Sequence, residues 1–151
     1  MTEVLFYHLQ GQPLERVLPG LLERSLERGW RVVVQSSAEE RVEALDAQLW
    51  TFREDSFLPH GTHRDAAAAA DQPVLLTVND DNPNGATVRF LIDGAPMPTD
   101  AAGYERIVLL FDGTDEDAVG EARKRWTAAK EQGLAATYWQ PDENGRWVKR
   151  A

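Results

Sequence analysis

The sequence predicts one α/β domain in which helices cover both faces of a largely parallel sheet. The strongest observation is the apolar run at residues 107–111, which lacks alternation and is typical of a central strand buried on both sides. Strand-like and helix-like patterns also alternate through the first half of the chain, which favours parallel strands joined by right-handed crossovers. Finally, 151 residues, of which 42% are hydrophobic, suffice for one core. Residues 1–151 are therefore predicted to form a single domain.

The first strand is predicted at residues 4–9, and Pro13 then stands where proline is tolerated, at the start of a helix that runs to Gly29. The face of this helix toward the sheet is marked by three-and-four spacing of Leu14, Val17, Leu18, Leu21, Leu22, Ser25 and Leu26. Pro19 and Gly20 should bend or weaken it locally.

A second strand is predicted at residues 31–35, followed by a second helix. Ser36 or Ser37 is the expected cap, and Glu39 or Glu40 could complete a capping box.

The middle of the chain is less regular. Residues 61–72, with five consecutive alanines, are predicted as a loop that holds a short helix before Pro73. Residues 74–78 form the next strand, residues 79–85 a turn, and residues 87–92 another strand.

The C-terminal third begins with the central strand, which should stop at Asp112-Gly113. A helix is predicted from residue 114 to about Gln132, with acidic residues in its first turn and Gly133 as its stop. The chain closes with a hairpin, whose strands at 135–139 and 146–148 flank an Asn144-Gly145 turn.

Composition limits the function. With 25 acidic and 16 basic residues, the formal net charge is -9, which argues against a general grip on duplex nucleic acid and favours a protein partner. The absence of cysteine excludes disulfides and cysteine-based metal or nucleophile chemistry. The N-terminus lacks a signal-peptide pattern and no apolar run approaches a membrane span, so a cytoplasmic protein is expected.

One edge of the last helix is basic and aromatic. Arg123 and Lys130 lie beside Trp126, at the border of an apolar stripe formed by Val119, Ala122, Trp126 and Ala129. The basic residues of this helix could simply match its macrodipole, and Trp126 could be core. Their local concentration in an acidic chain instead favours a site for an acidic ligand.

A second concentration of informative residues follows the second helix. The pattern is Leu45-Asp46, Leu49-Trp50 and then Ser56-Phe57-x-Pro59-His60. Most of it is explained by structure, because large apolar residues are core by default and Pro59 favours an extended loop entry. His60 and His63 could form a two-nitrogen metal fragment, but only His8 remains to complete it, so no metal or other cofactor is expected.

This pattern resembles the chi subunit of the bacterial DNA polymerase III holoenzyme. The resemblance extends to Phe6-Tyr7, to residues 106–113, and to Ala122-Arg123 with Trp126. It implies a non-catalytic accessory of the clamp loader, which joins the clamp loader, through the psi subunit, to the acidic, phenylalanine-ended tail of the single-stranded DNA-binding protein. DNA would be contacted only indirectly, and no membrane is involved.

The resemblance also implies where the tail binds. Arg123 matches the basic residue of the family's pocket, and Trp126 stands where the family has an aromatic residue. An ion pair to a carboxylate and an apolar wall for a ring are chemically reasonable there. Thr127 stands where some relatives have lysine. Two alternatives remain for that missing charge: Lys130, one turn later, replaces it, or nothing does.

The alternative is a small-molecule or nucleotide-binding enzyme of Rossmann-like topology, with its site beyond the carboxyl ends of the strands. Asp93, Asp112 and Gly113 would lie there. The sequence has no G-x-G-x-x-G after the first strand, no Gly-Lys-Ser/Thr loop and no nucleophile elbow. Asp112 is better explained as a turn carboxylate.

Burial provides a check on these interpretations. Val33, Leu76, Leu109 and Leu110 are expected to be buried in the sheet. Trp50 and Phe57 are expected to be largely buried beneath the second helix and its loop. A fully exposed Trp50 would instead indicate a partner surface, plausibly for psi.

Overall fold

A computed structural model describes residues 2–51 and 58–151. In chain order the elements are β1 (Glu3–Leu9), α1 (Leu14–Glu27), β2 (Val32–Gln35), α2 (Glu39–Thr51), β3 (Gly61–Thr62), α3 (Ala66–Ala69), β4 (Val74–Thr77), β5 (Val88–Leu91), a 3-10 turn (Ala101–Gly103), β6 (Arg106–Asp112), α4 (Glu116–Glu131), β7 (Ala135–Pro141) and β8 (Trp147–Lys149).

The strands form one sheet in the order β3-β4-β2-β5-β6-β1-β7-β8. All neighbouring strands are parallel except β7 and β8, which form the predicted antiparallel hairpin. The apolar run at residues 107–111 lies in β6, between β5 and β1, as expected of a central strand. The predicted fold class, an α/β domain with a largely parallel sheet, is therefore confirmed.

The core is divided by the sheet, because successive side chains of a strand point to opposite faces. On one face, Leu5 of β1 packs in a cluster with Leu18 of α1 and Leu45 of α2. On the other, Phe6 packs in a cluster with Ala122 of α4. Helices cover both faces, and the strand residues predicted to be buried are buried: Val33, Leu76, Leu109 and Leu110.

Helix α1 contains Pro19 without being interrupted. Proline cannot donate to the carbonyl four residues earlier, which here belongs to Glu15. That carbonyl instead accepts a hydrogen bond of 2.5 Å from Nε2 of Gln48 in α2. The helix that follows in sequence thus satisfies the group that the proline leaves unpaired.

Helix α2 begins differently from the prediction. Ser36 Oγ accepts from the Ala38 N–H at 3.1 Å, so one of the two expected serines does hold the entry to the helix. Glu39 does not complete a capping box, because its carboxylate is bound elsewhere: it contacts His63 Nε2 at 2.9 Å and Arg64 Nη2 at 3.3 Å. Those contacts hold α2 against the segment that includes the short strand β3. Residues 61–72 were predicted as a loop with a short helix, and that prediction missed this strand.

The burial prediction for Trp50 is wrong. It is 51% exposed, although Leu45 and Leu49 of the same helix are each 1% exposed. Trp50 lies one residue beyond the stripe that faces the sheet, so the helix turns it outward. Ser56 and Phe57 lie outside the described residues, and the prediction for Phe57 therefore stays a prediction.

Candidate partner-binding site

Helix α4 has defined ends, which place its side chains. Asp115 is the N-cap, and its Oδ1 accepts from the N–H groups of Asp117 at 3.0 Å and Ala118 at 3.3 Å. Gly133, with φ of +76°, follows the C-terminus in the left-handed conformation that glycine tolerates. Between these ends, Ala122 and Ala129 are buried against the sheet and Trp126 is half-buried beside them.

Trp126 belongs partly to the core and partly to the surface. Its inner edge packs on Phe6 of β1, with ring centroids 5.3 Å apart, and on Tyr138 of β7, at 6.1 Å. The Lys130 ammonium lies 5.0 Å from its ring centroid, within the range of a cation–π contact. The ring is therefore held rigidly while a cation stands at its outer side.

Arg123 is exposed on the same edge of α4. Burial raises the pKa of the Tyr138 hydroxyl, and the Arg123 charge opposes that rise. Within residues 2–51 and 58–151, no carboxylate forms an ion pair with Arg123. Thr127 is also exposed, and its hydroxyl donates to the Arg123 carbonyl at 3.1 Å, so it adds no charge.

Tyr138 was not identified from the sequence, and neither was its neighbour His8. His8 Nδ1 lies 2.7 Å from the Tyr138 hydroxyl, and Phe111 of β6 packs on both rings at 5.4 and 6.0 Å. The pairing of β1 with β7 places Phe6 opposite Tyr138, which brings these side chains to the face covered by α4. Pairing between strands distant in sequence is the only signal that could have found them.

Gly113 is needed beside His8. A Cβ at this position would lie 1.9 Å from His8 Nε2, so any larger residue would displace the ring. Burial lowers the pKa of His8, although the Asp112 carboxylate partly opposes this effect. The neutral imidazole is therefore the favoured partner of Tyr138.

We call Arg123, Trp126, Lys130 and Tyr138 the basic-aromatic patch. It combines cationic charge, for which the described residues provide no carboxylate partner, with aromatic rings that pack on the core. A ligand that carries both a carboxylate and an apolar ring matches it, because the guanidinium can bind the carboxylate and the indole can cover the ring.

The alternative site exists as a crevice of about 790 Å³ at the carboxyl ends of β1, β5 and β6. Asp93 and Asp112 line it, as predicted, whereas Gly113 packs against His8. Arg41 pairs with both Asp93 and Glu15. Asp93 also has a φ of +52°, and its carboxylate accepts from Ser36 Oγ at 2.9 Å.

Two other charged groups of the crevice also have structural partners. Arg125 donates to the carbonyls of Gly94 at 2.9 Å and Ala95 at 2.6 Å. Asp112 accepts from both the N–H and the hydroxyl of Thr114. These contacts hold the helix entries and loops in place.

The motif after α2 fastens that helix to residues 58–60. His60 is buried, with Nδ1 at 2.7 Å from the Leu58 carbonyl and Nε2 at 3.0 Å from Oδ1 of Asp46. Trp50 packs on the same imidazole, with centroids 4.5 Å apart. Together with Pro59, these residues border a surface cleft of about 430 Å³. Leu45 and Leu49 are core, so the motif is structural on one side and exposed on the other.

The described part of the chain offers neither a metal site nor a membrane-spanning helix. No three His, Asp or Glu side chains there come together as a group that could hold a metal ion. No helix there is both long and apolar enough to cross a membrane.

Comparisons with known proteins agree on one family. The sequence model of the family described as "DNA polymerase III chi subunit, HolC" matches residues 1–137. A protein of Pseudomonas aeruginosa named "DNA polymerase III subunit chi" is 30% identical over 138 residues, covering 88% of this chain and 92% of that protein. A protein of Rickettsia prowazekii named "Probable DNA polymerase III subunit chi" is 27% identical over 122 residues, covering 74% of this chain and 71% of that protein.

Proposed function

Because this chain belongs to the family of DNA polymerase III chi subunits and is thus an accessory subunit in DNA replication, we propose that it acts as an adaptor. In this role it links the clamp loader, through psi, to the C-terminal tail of single-stranded DNA-binding protein. The chain itself is not catalytic, polymerisation belongs to other chains, and in this adaptor role DNA is contacted only indirectly. Such an adaptor works in the cytoplasm, where bacterial DNA is replicated.

The observation that carries the proposal is the basic-aromatic patch. Arg123 has no carboxylate partner among the described residues, and it stands beside aromatic rings that are fixed by the core. A peptide that is acidic and ends in phenylalanine supplies both missing partners. Its terminal carboxylate would accept hydrogen bonds from Arg123, its ring would lie on Trp126, and Lys130 would face its acidic residues.

Calorimetry with such a peptide tests this half of the function. Arg123→Glu places like charge against the ligand and should weaken binding by about 2 kcal/mol, or about thirtyfold. Trp126→Ala removes the aromatic wall and should weaken binding as well. Lys124→Glu is the matched control, because Lys124 is another exposed cation of the same helix and pairs with Glu121 instead. It should change affinity far less.

Two further arms separate the two parts of recognition. Amidation of the peptide C-terminus removes the carboxylate and should weaken binding roughly tenfold, since a hydrogen bond to a charged group is worth about 1.5 kcal/mol. Higher salt should weaken the binding of the free peptide, because the attraction is partly screened. Unchanged affinity in both Arg123→Glu and Trp126→Ala would show that the basic edge is a solvated helix face and that the tail binds elsewhere or not at all.

For the clamp-loader side, we propose that the surface around Trp50 contacts psi. A half-exposed tryptophan beside a cleft is a common anchor of protein interfaces. Its indole packs on His60, and the Asp46–His60 contact joins α2 to residues 58–60.

The two contacts are separable by reciprocal variants. Trp50→Ala should lose the purified psi-containing clamp loader in size-exclusion chromatography while keeping the affinity for the tail peptide. Arg123→Glu should lose the peptide and keep the clamp loader. If Trp50→Ala still co-elutes with the clamp loader at wild-type strength, psi uses a different surface.

A further inference from the structure

A second group of cations lies on the face of the sheet opposite the basic-aromatic patch. Arg24 in the last turn of α1, Arg28 at its C-cap and Arg106 at the start of β6 gather around Trp30. The guanidinium carbons of Arg28 and Arg106 lie 5.0 and 4.8 Å from the centroid of the Trp30 ring. We call these three arginines, with Trp30 and Tyr7, the arginine cluster.

The three arginines of the arginine cluster border a common cleft. The whole cluster lines this cleft, which has a volume of about 120 Å³. Burial raises the pKa of the Tyr7 hydroxyl in this cleft, and Arg106, Arg24 and Arg28 each oppose the rise. The field of all three cations therefore reaches the phenol. The hydroxyl itself stays neutral and is available as a fourth donor.

Structural roles account for only part of this arrangement. Arg24 and Arg28 suit the negative end of the α1 macrodipole, but as like charges four residues apart they also repel each other. Arg106 comes from a strand, and its ion pair with Glu3 is long, at 3.9 Å. Arg41 and Arg125 of the crevice are bound to carboxylates and carbonyls, whereas Arg24 and Arg28 form no ion pair within the part of the chain that the structure describes.

We propose that the arginine cluster binds a terminal phosphate group. A single carboxylate is matched by one guanidinium, whereas three guanidinium groups and a hydroxyl match the three oxygens and the double charge of a phosphate monoester. The cleft is well below the roughly 300 Å³ at which pockets for larger ligands begin, so it takes the phosphate and leaves the rest of the ligand outside. The phosphate can come from a free nucleotide or from the phosphorylated 5′ end of a DNA strand.

The Trp30 indole reports directly on this site. Its N–H signal is assigned in a proton–nitrogen NMR spectrum of the full chain by comparison with Trp30→Phe. The signal is then followed in titrations with inorganic phosphate, with thymidine 5′-monophosphate, and with a short thymidine oligonucleotide with and without a 5′-phosphate. The Trp30 signal should shift with each probe that carries a terminal phosphate. A larger response to the phosphorylated oligonucleotide than to the mononucleotide would identify a strand end as the source.

Matched variants test the residues. Arg28→Gln and Arg106→Gln should each weaken phosphate binding about fivefold, the effect of removing one partly exposed charge. Arg16→Gln is the control, since Arg16 is an exposed arginine at the other end of the same helix. It should leave binding unchanged. Thermal unfolding of each variant establishes that the comparison is made between folded proteins.

Three results would overturn the proposal. One is the absence of any Trp30 shift with phosphate, and another is equal weakening by Arg16→Gln, which would reveal only general electrostatics. The third is an equal response to the unphosphorylated oligonucleotide or to an acidic peptide without phosphate. In that case the cluster recognises backbone charge or carboxylates, and the assignment to a terminal phosphate is wrong.

Discussion

Replacement of the buried Arg89 should be among the most destabilising single changes in this protein. Its side chain has 0% exposure, and each of its five N–H donors has an acceptor. The acceptors are Gln35 Oε1 at 2.6 and 3.1 Å, the carbonyls of Asn79 at 2.5 Å and Asp81 at 2.9 Å, and the Tyr104 hydroxyl at 2.9 Å. No carboxylate of the described residues pairs with it, so oxygen dipoles alone balance the buried charge.

The magnitude follows from what a substitution leaves behind. Arg89→Met keeps the volume but leaves a buried amide oxygen, two carbonyls and a hydroxyl without their donor, each a loss of about 1–3 kcal/mol when water cannot replace it. Water can reach the two loop carbonyls, so the expected total is about 3–5 kcal/mol, the usual result of breaking a buried charged network. Arg89→Lys should recover only part of this loss, because an ammonium has three donors at one point and cannot reach acceptors spread around a planar fork.

Urea denaturation followed by tryptophan fluorescence measures the effect, and the midpoint of thermal unfolding should fall by roughly 10 °C. Arg16→Met is the control, because that exposed arginine should change stability by less than about 0.5 kcal/mol. If Arg89→Met were as stable as the control, the reasoning from donor satisfaction would be refuted. If Arg89→Lys were as stable as wild type, the planar geometry would not matter.

Three further predictions concern the surroundings of α4. Thr127→Lys should tighten binding of the acidic peptide about twofold to fivefold, the effect of one added exposed charge. Calorimetry should show that this gain in affinity disappears at high salt. A gain that persisted at high salt would contradict an electrostatic cause. Gly113→Ala should lower the free energy of unfolding in urea by about 1–3 kcal/mol, because the added Cβ would clash with His8. Gly120→Ala is the control and should be neutral or stabilising, because no atom lies within 4 Å of its added Cβ. Equal effects of the two substitutions would rule out the clash. Burial lowers the pKa of His8 below its ordinary 6.5, although the Asp112 carboxylate opposes this effect. Just below pH 6.5 the unfolded chain therefore binds more protons than the folded protein. The free energy of unfolding should consequently fall as the pH drops below 6.5. His8→Asn should flatten the difference in urea midpoint between about pH 8 and about pH 5.5, and an unchanged difference would assign the pH dependence to other groups.

The motif after α2 shows where residue-level reasoning misjudges a role. Leu45 and Leu49 are four residues apart and lie on the buried face of α2. Trp50 follows Leu49 directly, so it lies about 100° further around the helix, where it is 51% exposed. Hydrophobicity alone predicted burial for all three, because large apolar side chains are usually inside. Helical geometry separated them.

Local features of the sequence determined most of the elements. The apolar run of β6, the three-and-four stripe of α1, the Asp115 cap and the Gly133 stop of α4, and the Asn-Gly turn before β8 all depend on residues within a few positions of one another. Their conformations are set by short-range sterics, caps and periodicity, which a sequence displays directly.

Only the tertiary structure decided which of these elements meet. The order of strands places Tyr138 and His8 beside Trp126, although these residues are up to 130 positions apart, and it brings Arg106 to Arg28 at Trp30. The two-residue strand β3 owes its existence to pairing with β4, and Arg89 owes its burial to acceptors from three separate segments. The physical reason is the same in each case: pairing across a sheet depends on the burial of both faces at once, and no local stretch of sequence records that balance.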